Sequence, residues 1–340
     1  MRSHSALLFL LAAPIALFAQ ANPRQAGALR SEAKTWATPF EKDARPRDPF
    51  ADAQGRVWFV GQQGNFVAYL DPERGDFKRY AIDEGTHPHN LVVEKGVVWF
   101  TGNANGRIVR LDPATGKTTT FMMPDPSIKD PHTMTFNKDG DAWFTAQNAG
   151  IVGKLTVSSG KIRIWRLTSG YRPYGILLDS HERPWFDEFG TNKIATIDPT
   201  TGELKEYPLP NDRTRPRRIA ITPDDQIWYG DYTRGTLGHL DPKTGKVEEF
   251  PMPSGAGSLP YGMTVDDRGR IWVAETGIQP NKIQAFDPHK RTWVESLTIP
   301  SDGPNTIRHM TFDKATRQIW FGGDANMIGR VKVAPEAVIP

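Results

Sequence analysis

The chain of 340 residues contains no cysteine. That absence excludes disulfides, thiolate nucleophiles, thiolate metal sites and c-type haem attachment together. A dominant charge is missing as well, with 42 Lys and Arg against 39 Asp and Glu. No block of like charge interrupts the sequence, so no nucleic-acid partner is expected. Long apolar runs are absent apart from Ala6–Phe18, which is too short to span a bilayer comfortably. Arg2 precedes this run, and Ala19-Gln20-Ala21 follows it as a small-x-small cleavage pattern. Residues 1–21 therefore read as a secretory signal peptide, which implies a periplasmic or secreted protein without a membrane anchor.

What the sequence does contain is a repeat. Trp58, Trp99, Trp143, Trp185, Trp228, Trp272 and Trp320 each open a similar phrase. A period of about 40–45 residues is the signature of a propeller or solenoid array. Within one unit, Arg172–Pro210, four short apolar stretches are separated by turn residues, so each unit predicts four antiparallel strands. The turn between the third and fourth strands recurs as Asp71-Pro-Glu-Arg-Gly75, Asp112-Pro-Ala-Thr-Gly116, Asp198-Pro-Thr-Thr-Gly202 and Asp241-Pro-Lys-Thr-Gly245. Asp bonds back to the turn backbone, Pro presets φ, and Gly supplies the left-handed residue.

The seventh repeat stops after three strands, whereas Lys34–Phe40 resembles a fourth strand placed ahead of the first repeat. The expected fold is thus all-β: a single seven-bladed β-propeller over residues 33–335, its last blade closed by the N-terminal strand. Such closure removes two sheet edges and ties the termini together without a disulfide.

Aligning the repeats on their turns places one polar residue per blade where the innermost strand begins: Arg47, His89, His132, Tyr174, Arg217, Tyr261 and Arg308. Seven such side chains would surround one channel mouth. Counting outward from the hairpin turns pairs Tyr261 with Glu275, Tyr174 with Glu188, Arg217 with Asp231 and His132 with Ala146. Gly61, Gly102 and Gly323 fall opposite the other three. This count predicts a carboxylate wall able to hold a divalent cation facing a cationic wall able to hold an anion or polarise a carbonyl. The plainer alternative is an Arg217–Asp231 ion pair, tyrosines capping the channel and histidines solvated on its rim. His87, His181, His239, His289 and His309 fall out of this register and read as surface residues.

The phrases PYGI…PWFDEFGTNKIATIDPTTGELKEYPLP and PYGM…IWVAETG…NKIQAFDP resemble the streptogramin B lyase (virginiamycin B lyase) family over roughly residues 44–335. The resemblance implies a seven-bladed propeller that opens cyclic depsipeptides by elimination at an ester linkage, using Mg²⁺ and a His base. The family's metal-linked Glu corresponds to Glu275, while its two histidines correspond to Tyr261 and Arg217. Under this reading Glu275 and Glu188 would hold Mg²⁺, and His132 or Tyr261 would take a proton. Arg217 or Arg308 would stabilise the developing negative charge, with Arg47, His89, Tyr174 and Asp231 binding the ligand. The expected partner is a small molecule or cyclic peptide at the channel mouth of a monomer. A second reading of the same mouth is a non-catalytic periplasmic module that binds an anionic small molecule or peptide.

Overall fold

A computed structural model describes residues 30–335, so the signal-peptide region expected at residues 1–21 lies outside the described residues. The described chain is all strand and turn, arranged as seven four-stranded antiparallel sheets. Innermost strands run Pro46–Ala51, Pro88–Glu94, Pro131–Phe136, Pro173–Leu178, Pro216–Ile221, Pro260–Val265 and Ile307–Asp313. The last sheet takes its outermost strand from the N-terminus: Glu32–Ala37 pairs antiparallel with Met327–Lys332. Ser31 then fastens the seam. Its backbone N–H and hydroxyl donate to Glu295 at 2.7 and 2.9 Å, and its hydroxyl accepts the Ala334 N–H at 3.0 Å.

The recurring tryptophans are buried between blades. Trp58, Val60 and Val67 of blade one pack against Leu91, Val98 and Phe100 of blade two, and similar clusters fill the other junctions. Each blade alone would leave an apolar face in water, so the ring stands by mutual burial. In three blades the indole N–H also has a designated acceptor. Asp52 takes Trp58 at 2.7 Å, Asp179 takes Trp185 at 3.0 Å and Asp266 takes Trp272 at 2.9 Å. The same carboxylates accept the side chains of Arg56, Arg183 and Arg270 four residues on. One hairpin turn therefore positions both a core indole and the arginine beside it. Its left-handed position is Gly55 (φ 78°) and Gly269 (φ 74°), while blade four carries Glu182 there at φ 63°.

Turns between the third and fourth strands follow the expected chemistry. In Asp241–Gly245 the carboxylate accepts the Lys243 N–H at 2.9 Å and the Thr244 hydroxyl at 2.7 Å, and Gly245 takes φ 73°.

Candidate functional site at the channel mouth

Every innermost strand carries a register shift near its start, between Pro260 and Met263 in blade six and between Pro173 and Ile176 in blade four. This β-bulge inserts one residue, and a one-residue slip turns side chains to the opposite face. The pairing counted from the hairpin turns is corrected accordingly. Glu275 lies opposite Pro260, not Tyr261; Glu188 lies opposite Pro173, not Tyr174; Asp231 lies opposite Pro216, not Arg217.

All three carboxylates are buried and bonded to their own blade or to the connection leading into it, although Glu188 Oε1 has no hydrogen-bond partner. Glu275 accepts the Ser254 N–H at 2.9 Å, the Ser254 hydroxyl at 2.7 Å and the Gln284 amide at 2.6 Å. Asp231 accepts the Arg215 N–H at 3.1 Å and faces Arg234 at 3.3 Å, so the expected Arg217–Asp231 pair does not form. Glu188 accepts the Thr191 hydroxyl at 3.1 Å. Burial, reinforced by Glu206, pushes its carboxyl up to about 7.

The residues that do meet the mouth side chains come one position later, at the end of each second strand. Gln62 accepts from Arg47 at 2.9 Å. Phe189 lies 5.6 Å from Tyr174 between ring centroids. Tyr232 lies under the Arg217 guanidinium at 4.2 Å, and Asp324 accepts Arg308 Nε at 2.9 Å and a second bond from Nη2. Sequence reasoning missed Gln62, Phe189, Tyr232 and Asp324. The signal available was the Pro at the start of six innermost strands, because Pro inside a sheet is confined to edges, strand starts and bulges.

The seven residues assigned to the mouth do converge. His89, His132 and Tyr174 stack in sequence, with ring centroids 3.6 and 4.1 Å apart, and the Tyr174 and Tyr261 hydroxyls share a short hydrogen bond. Arg217 sits among four rings: Tyr261 at 3.9 Å, Tyr232 at 4.2 Å, Phe189 at 4.9 Å and Tyr174 at 5.5 Å. Blade-to-blade hydrogen bonds hold this layer in place. Thr101 donates to the carbonyl of His132 at 3.1 Å, and Thr145 to that of Tyr174 at 2.7 Å. His132 is 2% exposed and Tyr261 0%, so the histidines are not solvated rim residues. Arg217 and Arg308 are half-buried and form the outward face.

Electrostatics at the mouth follow from this packing. Burial, then the nearby guanidiniums of Arg218 and Arg47, pulls His132 well below the ordinary imidazole range, and His89 behaves likewise. Both are neutral at ordinary pH. For Tyr261 burial opposes ionisation, but Arg217, Arg47, Arg218 and Arg308 together bring its phenol down to about 8. Tyr174, buried against it, is raised. The two hydroxyls therefore titrate as a pair, with the first proton released easily and the second held.

One step deeper, Asp48, Asn90, Thr133, Arg218 and His309 form a second layer in the channel. Asp48 accepts Arg47 Nε at 3.1 Å and the Asn90 amide at 2.8 Å. Arg218 donates to Thr133 at 3.1 Å, and the same hydroxyl lies 2.8 Å from His132 Nδ1. His309, read from the sequence as a surface residue, belongs to this inner layer. His239 is also drawn inward and stacks on Trp228 at 4.5 Å.

The Virginiamycin B lyase family model matches residues 92–338. The chain belongs to that family. Among solved structures, a streptogramin B lyase shares 27% identity, covering 88% of this chain and 97% of its own, with a TM-score of 0.79. A catalytically inactive virginiamycin B lyase from Staphylococcus aureus, solved with quinupristin, shares 25% identity over 89% of this chain and 99% of its own, also at 0.79. The extracellular domain of a one-component system from B. thetaiotaomicron, at 18% identity, TM-score 0.65 and 42% coverage of that chain, shares the fold alone. No curated protein matches the sequence.

The Mg²⁺ that this family resemblance implies does not fit the residues present. Glu275 spends its oxygens on three protein donors, and Glu188 and Asp231 turn into their own blades. Among the described residues no group of three His, Cys, Asp or Glu side chains is placed to hold a metal ion. The mouth itself is lined by arginines, which repel a divalent cation.

Proposed function

We propose that this streptogramin B lyase-like propeller is a periplasmic or secreted binding module for an anionic small molecule or peptide, held at the Arg217–Arg308 mouth without a metal. The observation that carries this reading is the guanidinium of Arg217, which is half-buried and preset by four aromatic rings. A planar guanidinium fixed in this way loses little entropy when it takes a carboxylate. Phe189 and Tyr232 offer an apolar surface beside it. The groups suited to proton abstraction, His132 and Tyr261, are sealed beneath that surface.

N-acetyl-phenylalanine, a carboxylate next to an aromatic ring, is a suitable probe for isothermal titration. It is expected to bind in excess EDTA, and Arg217→Ala is expected to weaken it about tenfold or more. Equal affinity in the variant would count against the reading.

A second reading is favoured by the lowered Tyr261 phenol. In a metal-free β-elimination on a cyclic ester or depsipeptide, Tyr261 as phenolate would take the Cα proton, a Cα=Cβ double bond would form as the Cβ–O ester bond breaks, and the released carboxylate and developing negative charge would be met by Arg308. It requires Arg217 to swing aside and admit substrate. Tyrosinate absorbance emerging near pH 8 and lost in Tyr261→Phe would support the base. Ring opening by wild type but not by Tyr261→Phe would establish the reaction.

A further inference from the structure

The channel does not end at the mouth. Behind the plug of His89, His132, Tyr174 and Tyr261 lies a cavity of about 420 Å³ that opens at the opposite face of the ring. Its walls are mainly apolar, as at Val92, Leu177, Met263 and Phe312, with threonines such as Thr264 among them, and Arg218 and His309 lie at its floor. This volume lies in the range of small-molecule sites, and an apolar body with a few convergent polar groups is their usual composition.

The floor carries an unanswered charge. Arg218 is 3% exposed and makes one hydrogen bond, from Nη1 to Thr133 at 3.1 Å. Its Nε and Nη2 have no hydrogen-bond partner. The nearest carboxylate, Asp48, lies 3.9 Å from Nη2 and is already engaged by Arg47 and Asn90. Two guanidiniums thus share one carboxylate. Two other groups could alter that balance. His309 is pushed down to about 4 by burial despite Asp48, so it adds no charge at neutral pH. Asp187 accepts the Gly175 N–H at 2.9 Å and forms no ion pair with Arg218; burial raises its pKa well above the carboxylate range in spite of Arg218, which weakens it as a counterion. Arg218 is left without a hydrogen-bonded carboxylate at the bottom of the funnel.

We infer that this cavity is a second binding site, for a small amphiphile with a single anionic head group seated on Arg218 and an apolar body between the innermost strands. Nε and Nη2 are unpartnered but covered, so a carboxylate would take them as a bidentate pair, the geometry in which guanidinium and carboxylate match best, after a small shift of the Arg218 side chain toward the cavity. Glu94 at the opposite rim, 3.5 Å from Lys95, disfavours a second anionic group at the tail. This site faces away from the mouth and is independent of the function proposed for it.

The test is isothermal titration of the mature protein with decanoate, decanol and acetate. Decanoate is expected to bind once per chain, about tenfold or more tighter than decanol, with acetate showing no measurable heat. Arg218→Gln should weaken decanoate by a similar factor. Should that variant fail to fold, Thr264→Trp on the half-buried wall decides instead, since the indole would occupy the funnel and abolish decanoate binding. N-acetyl-phenylalanine should not compete with decanoate. No decanoate heat with wild type, equal affinity for decanol, unchanged binding in a folded variant, or competition between the two probes would each overturn the assignment.

Discussion

Arg217 faces the mouth, where four rings surround its guanidinium at 3.9 to 5.5 Å. Arg218, the next residue, faces the inner cavity with two of its three nitrogens unbonded. Both residues lie within the bulge between Pro216 and Ile219, which breaks strict alternation and lets the two side chains reach the channel at different depths. The mouth answers its cations with aromatic faces and with Asp324, close enough to the surface for water to help. The inner layer has only Asp48 for two guanidiniums. The first end braces Arg217 with rings while leaving its Nε without a hydrogen-bond partner; the second shares one carboxylate between two guanidiniums.

The contrast can be broken by making the same change at each end. Asp48→Asn would leave Arg47 and Arg218 buried without a counterion, which should cost about 3–5 kcal/mol in denaturant unfolding. A loss below about 1 kcal/mol would mean that water already reaches the inner layer. Next in size is a pH effect behind the mouth. Because burial raises the folded-state pKa of Glu188 from 4.5 to about 7, the folded protein holds a proton that the unfolded chain releases. Stability should therefore fall by up to about 3 kcal/mol as pH rises from about 4.5 to 7, and Glu188→Gln should flatten that slope. At the mouth, Arg217→Ala removes a half-buried cation–π contact and should cost about 1 kcal/mol of stability. Asp324→Asn is the counterpart of the Asp48 change but sits where Arg308 can be hydrated, so about 0.5–1 kcal/mol is expected.

The architecture was legible because its causes are periodic. Seven tryptophans, the Asp-Pro-x-x-Gly turns and the missing seventh-blade strand specified the blades and a closing strand expected at Lys34–Phe40, which the structure sets at Glu32–Ala37. The ring of mouth residues followed from the same alignment. Their partners did not, since a single bulge per innermost strand reverses the face that hairpin counting assigns. Glu188 and Asp231 thereby gave way to Phe189 and Tyr232, and Glu275 lost its expected place beside Tyr261. The family resemblance led to the expectation of a metal-linked role for Glu275, yet its ties to Ser254 and Gln284 are contacts that only the folded chain reveals. The inner layer was overlooked for a related reason. Asp48, Arg218 and His309 directly follow mouth residues, and strict alternation would have turned them away from the channel.

The central claim is that the mouth recognises an anion through Arg217 and needs no metal. The most direct measurement is the binding isotherm of N-acetyl-phenylalanine with excess EDTA and again with Mg²⁺, for wild type, Arg217→Ala and Glu275→Gln. The account predicts the same isotherm in EDTA and Mg²⁺, weakened about tenfold only in Arg217→Ala. Binding that requires Mg²⁺ and disappears in a folded Glu275→Gln variant would contradict it.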